Sequence, residues 1–189
     1  MLGLGNILTK GGALLGFPNK YSFNLDGSND YLSFDQDIAV SGDFSISWWM
    51  YVTDETQGFA PLFYKAGNYV LYFRDNGDFL LRINSFSGET FSSASVVSEN
   101  QWHHFALVRS GSSVDLYVDG TSIDDTKTIS GGSFTFNQIG FDSGSSYLDA
   151  LIDEVAVWSV ALSADDVAKL GSKPVDLTKY SASNLKLWL

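Results

Sequence analysis

Residues 43–52 read DFSISWWMYV, and their side chains alternate with a period of two. Phe44, Ile46, Trp48, Met50 and Val52 fall on one face of an extended chain, and Ser45, Ser47, Trp49 and Tyr51 fall on the other. A helix would scatter these residues around its whole circumference. A strand collects five large apolar side chains on one side, and that side needs a second layer to cover it.

The same kind of pattern recurs along the chain, cut by turn residues. YSFNLDGSNDYLSF (21–34) gives two short strands about Asp26-Gly27. NYVLYFRDNGDFLLRIN (68–84) sets Asn76-Gly77 between two apolar runs, a strong hairpin signal. Pro61 marks a strand end or an edge just before it. In QWHHFALVRSGSSVDLYVDG (101–120), Trp102, His104, Ala106 and Val108 share one strand face. His103, Phe105, Leu107 and Arg109 share the other. Trp102 and His104 are expected to pack in the core, with truncation of either costing stability. RSGSS then turns the chain into VDLYV, and Asp119-Gly120 turns it again. FTFNQIGF and YLDALIDEVAVW supply the last long strands.

One segment is helical in pattern, LSADDVAKLG (162–171). Ser163 is the N-cap, Asp165 and Asp166 sit in the first turn, Leu162 and Val167 form a staple, and Gly171 ends the helix. NLKLWL (184–189) follows as a strand with Leu185, Leu187 and Leu189 on one face. The expectation is an all-β domain over 21–189 with one short helix near the C-terminus. A Gly-rich, flexible N-terminal arm over 1–20 precedes it.

Composition narrows the partners. A net charge of −11 repels phosphate backbones and anionic lipid, so neither nucleic acid nor a membrane is an expected partner. Only Glu55, Glu89, Glu99 and Glu154 are glutamates among 22 acidic residues, and short aspartates favour turns and calcium sites over helix surfaces. With no cysteine there are no disulfides and no thiolate chemistry. No apolar run reaches the length of a membrane span, and Lys10, Asn and Gly interrupt the opening MLGLGNILTKGG, so it does not read as a signal peptide.

These pieces in this order resemble the laminin G-like branch of the concanavalin A-like lectin/glucanase superfamily. YSFNLDGSNDYLSF, DFSISWWMYV, QWHHFALVRSGSSVDLYVDG and ALIDEVAVWSVALSADDVAKL carry the resemblance over roughly residues 21–170. It implies a jelly-roll sandwich of two antiparallel sheets, in which the W-H-H stretch is a core strand and its histidines pack and hydrogen-bond. The residues agree. His103 and His104 alternate with apolar neighbours, and no Asp, Glu, Ser or Cys stands beside them at triad or metal-ligand spacing.

Some members of the wider fold are glycoside hydrolases carrying Glu-x-Asp-x-Glu on one strand, which places two carboxylates on one face about 5–5.5 Å apart. This chain has no such triplet. Its adjacent pair Asp153-Glu154 is expected to face opposite sides, so the expectation is a protein that is not an enzyme. The resemblance also implies a structural calcium ion. Asp153 is the best-placed ligand, and Asp26 of the N-L-D-G turn comes next. Here Ala150-Leu151 precedes I-D-E-V where the family often has glycine.

Trp49 and Tyr51 are candidates for a glycan-stacking platform, unless loops, the arm or a neighbouring chain cover them. Trp158 and Trp188 share that ambiguity. The opening MLGLGNILTKGG running into a laminin G-like domain resembles structural proteins of bacteriophages, marine ones in particular. That implies a non-enzymatic component of the virion, exposed on head or tail, assembled in the host cytoplasm and released by lysis. Its work would be decoration, assembly or host-glycan adhesion, with other virion proteins, further copies of itself or a surface glycan as partners. The alternative is an extracellular bacterial carbohydrate-binding module, and a glycoside hydrolase comes third.

Overall fold

The computed structural model of the protein describes residues 21–53, 58–66, 68–74, 78–81, 89–93, 96–142, 144 and 146–189. The arm at 1–20 and the Asn76-Gly77 turn lie outside the described residues. The elements run β1 (Phe23–Asp26), β2 (Leu32–Ser41), β3 (Phe44–Val52), β4 (Phe59–Lys65), β5 (Asn68–Arg74), β6 (Phe79–Leu81) and β7 (Glu89–Phe91). Next come β8 (Trp102–Ser110), β9 (Ser113–Val118), β10 (Thr121–Ser122), β11 (Lys127–Thr128), β12 (Ser133–Ile139) and β13 (Asp149–Trp158). The helix α1 (Ala164–Ser172), two 3₁₀ turns and β14 (Leu185–Trp188) complete the chain.

They form a jelly-roll sandwich of two antiparallel sheets. The first is ordered β1-β13-β3-β8-β9-β10, with β11 on β9 and β14 on β13. The second is ordered β2-β12-β4-β5-β6-β7. Phe44, Ile46, Trp48, Met50 and Val52 all lie in the core between the sheets, as their alternation demands. Trp48 is fully buried, stacked on Phe105 and met edge-on by Phe63 and Phe79. Each such side chain removed from water contributes on the order of 1.5–3 kcal/mol.

Several local expectations differ from the structure. The two strands about Asp26-Gly27 form, but β1 joins the first sheet and β2 the second, so the turn is a corner between layers. Pro61 lies inside β4, at a register shift and beyond the stretch of β4 that pairs with β12. A proline, which has no N–H to offer a ladder, fits such a bulge. The helix runs through Gly171 to Ser172, so Gly171 does not end it. The glycine serves a close approach instead: a Cβ on Gly171 would stand 2.2 Å from the Gly120 nitrogen. Leu187 of β14 and Leu189 just past it pack on the inter-sheet core, whereas Leu185 turns with Trp188 to the other face. The cause is a register shift against Val157 and Trp158.

The helix and the C-terminal segment form a cap on the outside of the first sheet. Ala106, Val108, Ala156 and Trp158 of the sheet pack against Leu162, Val167, Leu170 and Leu177 of the cap. Ser163 caps α1 by accepting from the Asp166 N–H, as the sequence predicts. The Ser45 hydroxyl accepts from the Leu162 N–H and donates to the Val160 carbonyl, and the Trp158 indole donates to the Tyr180 carbonyl. Among the described residues no helix is long and apolar enough to cross a membrane.

Candidate functional site

Cross-strand pairing orders the outer face of the first sheet into rows, because residues directly opposite each other point the same way. At one end Asp26 stands opposite Asp149, and the Thr53 hydroxyl donates to Asp149. The next row runs Asn24, Leu151, Tyr51, Trp102 across β1, β13, β3 and β8. Then come Asp153, Trp49 and His104, and after them the residues under the cap. Among the described residues, the cap therefore covers one end of this face and leaves the other open.

Trp49 and Tyr51 share a face but not an environment. Trp49 lies at the edge of the cap, tilted against the His104 ring at 5.3 Å, and lines a small cavity. Tyr51 instead meets Trp102 edge-on, with ring centroids 5.8 Å apart. Trp102 is 38% exposed and is not a core residue, contrary to the sequence expectation. It opens its strand on the outer face, beyond the reach of the cap, and alternation alone does not say which rows a cap covers. The open aromatic pair is thus Tyr51 with Trp102.

The small cavity has room for about one water molecule and is lined by Ser47, Trp49, His104, Glu154, Leu170, Val175 and Leu177. Glu154 reaches it through a bulge. Asp153 pairs with Trp49 and Ala156 with Ser47, so Glu154 and Val155 both stand against Trp48. Val155 turns inward and Glu154, at φ 49°, turns outward. Asp153 and Glu154 therefore do not face opposite sides: both lie on the outer face. Burial pushes the Glu154 carboxyl up to about 7, the Trp188 indole N–H bond at 2.7 Å opposes that, and the Asp153 charge adds to it. Burial draws His104 down to about 4 against the pull of Asp119. Its Nδ1 has no hydrogen-bond partner among the described residues.

His103 belongs to a different network. The Ser98 backbone N–H donates to its Nε2 at 3.1 Å, so Nδ1 carries the proton and donates to Asp119 at 2.8 Å. The Ser98 hydroxyl stands 3.4 Å from the same Nε2. Serine, histidine and aspartate thus meet in the order of a catalytic triad, which the sequence spacing does not reveal. The arrangement lacks a free general base, since the Nε2 lone pair is taken by the Ser98 N–H. Asp119 also accepts from the His104 N–H, and the group ties the loop before β8 to the turn after β9.

The calcium candidates are not brought together. Asp26 pairs with Asp149, four residues along β13 from Asp153, about 13 Å at strand rise. The Asp26 carboxylate accepts from the Ser28 and Asn29 N–H groups, which hold its pKa below the usual range, and Asp153 accepts from the Glu154 N–H. Among the described residues no three His, Cys, Asp or Glu gather as a metal site.

The fold recurs in solved structures. A heptameric SAP-like pentraxin from Limulus polyphemus superposes with a TM-score of 0.62 at 17% identity, over 80% of this chain and 82% of that one. A candidate carbohydrate-binding protein from Bacteroides ovatus gives a TM-score of 0.65 at 20% identity, over 91% of this chain and 52% of that one. Domain 4 of an extracellular arabinanase from Geobacillus stearothermophilus, in complex with arabinotriose, gives 0.55 at 18% identity, over 70% and 68%. No curated protein matches the chain. Residues 26–168 match the laminin G type 3 family, and the chain belongs to the concanavalin A-like lectin/glucanases superfamily.

Proposed function

We propose that this domain is a non-catalytic glycan-binding module, working as an exposed component of a bacteriophage virion in decoration, assembly or attachment. The observation that carries the binding role is the Tyr51–Trp102 pair, held open on a rigid sheet beyond the cap. Flat aromatic faces stack on sugar rings, and a preformed platform gives up little conformational entropy on binding. The Bacteroides ovatus and Geobacillus stearothermophilus structures, described by their carbohydrate binding and bound arabinotriose, support the same reading. Because both are bacterial, they also favour an extracellular bacterial carbohydrate-binding module as the second setting.

The non-catalytic reading is supported by the site chemistry. Glu154 is buried against the cap and held by Trp188, and the His103 Nε2 is occupied by a backbone donor. A fluorophosphonate probe is therefore expected to leave Ser98 unlabelled.

Glycan-array binding by the wild type, Trp102→Ala and Tyr51→Ala tests the binding role. Binding should fall at least tenfold in each variant while the melting temperature changes little. Array binding that survives both substitutions would overturn the site. Mass spectrometry of purified virions tests the setting, and absence of the chain from particles would favour the bacterial module.

A further inference from the structure

We propose that the open end of the first sheet takes an uncharged oligosaccharide of about three units, lying across the strands from β8 to β1. This rests on the glycan-binding reading above and names the ligand class and its direction.

The direction comes from the row Trp102, Tyr51, Leu151, Asn24, which the pairings place side by side on four neighbouring strands. Trp102 and Tyr51 give the row two rings, Leu151 continues it with a half-buried apolar side chain, and Asn24 ends it with an exposed amide. Three strand spacings make the row about 14 Å long. A sugar unit in an extended oligosaccharide advances by roughly one such spacing. The apolar end suits stacking, and the amide end can both donate to and accept from hydroxyls.

The charge class comes from the flanks. Asp26 and Asp149 stand on one side of the row, and Asp153 on the other, each one row away or about 7 Å along the strand. The Asp26 carboxylate is exposed and accepts from the Ser28 and Asn29 N–H groups. Carboxylates accept hydrogen bonds from sugar hydroxyls, and they repel the carboxylates and sulfates of acidic sugars. The chain's net charge of −11 adds to that repulsion at long range. The face that would hold a neutral glycan therefore discriminates against a charged one by the same groups.

The experiment is isothermal titration of the whole chain with neutral cello-, xylo-, malto- and arabino-oligosaccharides of one to five units, beside oligogalacturonides and sialyllactose. Affinity in the bound neutral series should rise to three units and then level off, with the acidic sugars at least tenfold weaker. Asn24→Ala should remove the gain on adding the third unit and leave the shortest bound sugar unaffected. Asp149→Asn should narrow the gap between neutral and acidic sugars. Preference for an acidic sugar, or affinity already level at one unit, would overturn the proposal while leaving glycan binding in place. Binding to none of these sugars would overturn the glycan reading and this proposal with it. Asn24 and Asp149 variants that bind as the wild type, where binding occurs, would place the ligand off this row.

Discussion

Glu154 and His104 line the same small cavity, and burial moves them in opposite senses. Glu154 holds its proton up to about 7 in the folded chain, whereas the unfolded carboxyl titrates at its ordinary 4.5. The folded state binds the extra proton, so stability from this group is intact below about 4.5, falls as pH rises and levels above 7. His104 loses its proton near 4 when folded and near 6.5 when unfolded. Its contribution is intact above about 6.5, falls as pH falls and levels below 4. Each change amounts to about 3 kcal/mol. Between about 4.5 and 6.5 the two slopes oppose and nearly cancel. Measured against the wild type, Glu154→Gln should therefore gain stability from about pH 4.5 to 7, and His104→Gln should lose it from about 4 to 6.5. Urea unfolding midpoints against pH read both, as differences from the wild type. Parallel curves for the two variants would contradict this account of the cavity.

At the scale of elements, α1 reaches the sheet through two glycines. A Cβ on Gly171 would meet the Gly120 nitrogen at 2.2 Å, and a Cβ on Gly120 would meet the Ala168 Cα at 2.8 Å. These are backbone atoms, which cannot swing aside. Gly171→Ala should lift the helix and lower the melting temperature by roughly 2–12 °C, since overpacking costs on the order of 1–3 kcal/mol. An unchanged melt would mean the helix shifts without loss. This contact shows what the sequence displays and what it hides. Alternation in 44–52 reports which side chains enter the inter-sheet core, because period and pleat coincide. The cap box at Ser163 is equally local. Gly171 looks like a stop signal because its actual partner is 51 residues away in sequence. The Glu154 bulge is hidden for the same reason: a glutamate at φ 49° has no local motive, and Trp188 at the far end of the chain holds its carboxyl. Of the candidate face, Tyr51 is legible as an outward aromatic. Trp102 as its partner is not, since the partnership depends on where the cap stops.

The whole molecule divides the outer face of one sheet between a cap and an open end. The calcium expectation at Asp153 and Asp26 belongs to this scale, because an ion would have to join β1 to β13. Both carboxylates already accept backbone N–H groups, and they stand about 13 Å apart along the strand. Calorimetry with calcium and with a chelator tests it: a melting temperature that falls on chelation would support the ion, and equal melts would retire it. The edge of β13 holds a further consequence. β1 pairs with residues 149–152 of β13 and β14 with 156–158, both antiparallel to it, and the Leu189 N–H bonds to the Val155 carbonyl. The last strand thus points at the first along one edge, across about three residues of β13, or roughly 10 Å. A short Gly/Ser linker from Leu189 to Ser22 would close the backbone into a ring. A circular permutant cut open at the exposed Gly131, where an added Cβ would meet nothing within 4 Å, should fold with an unchanged far-ultraviolet spectrum and a cooperative melt.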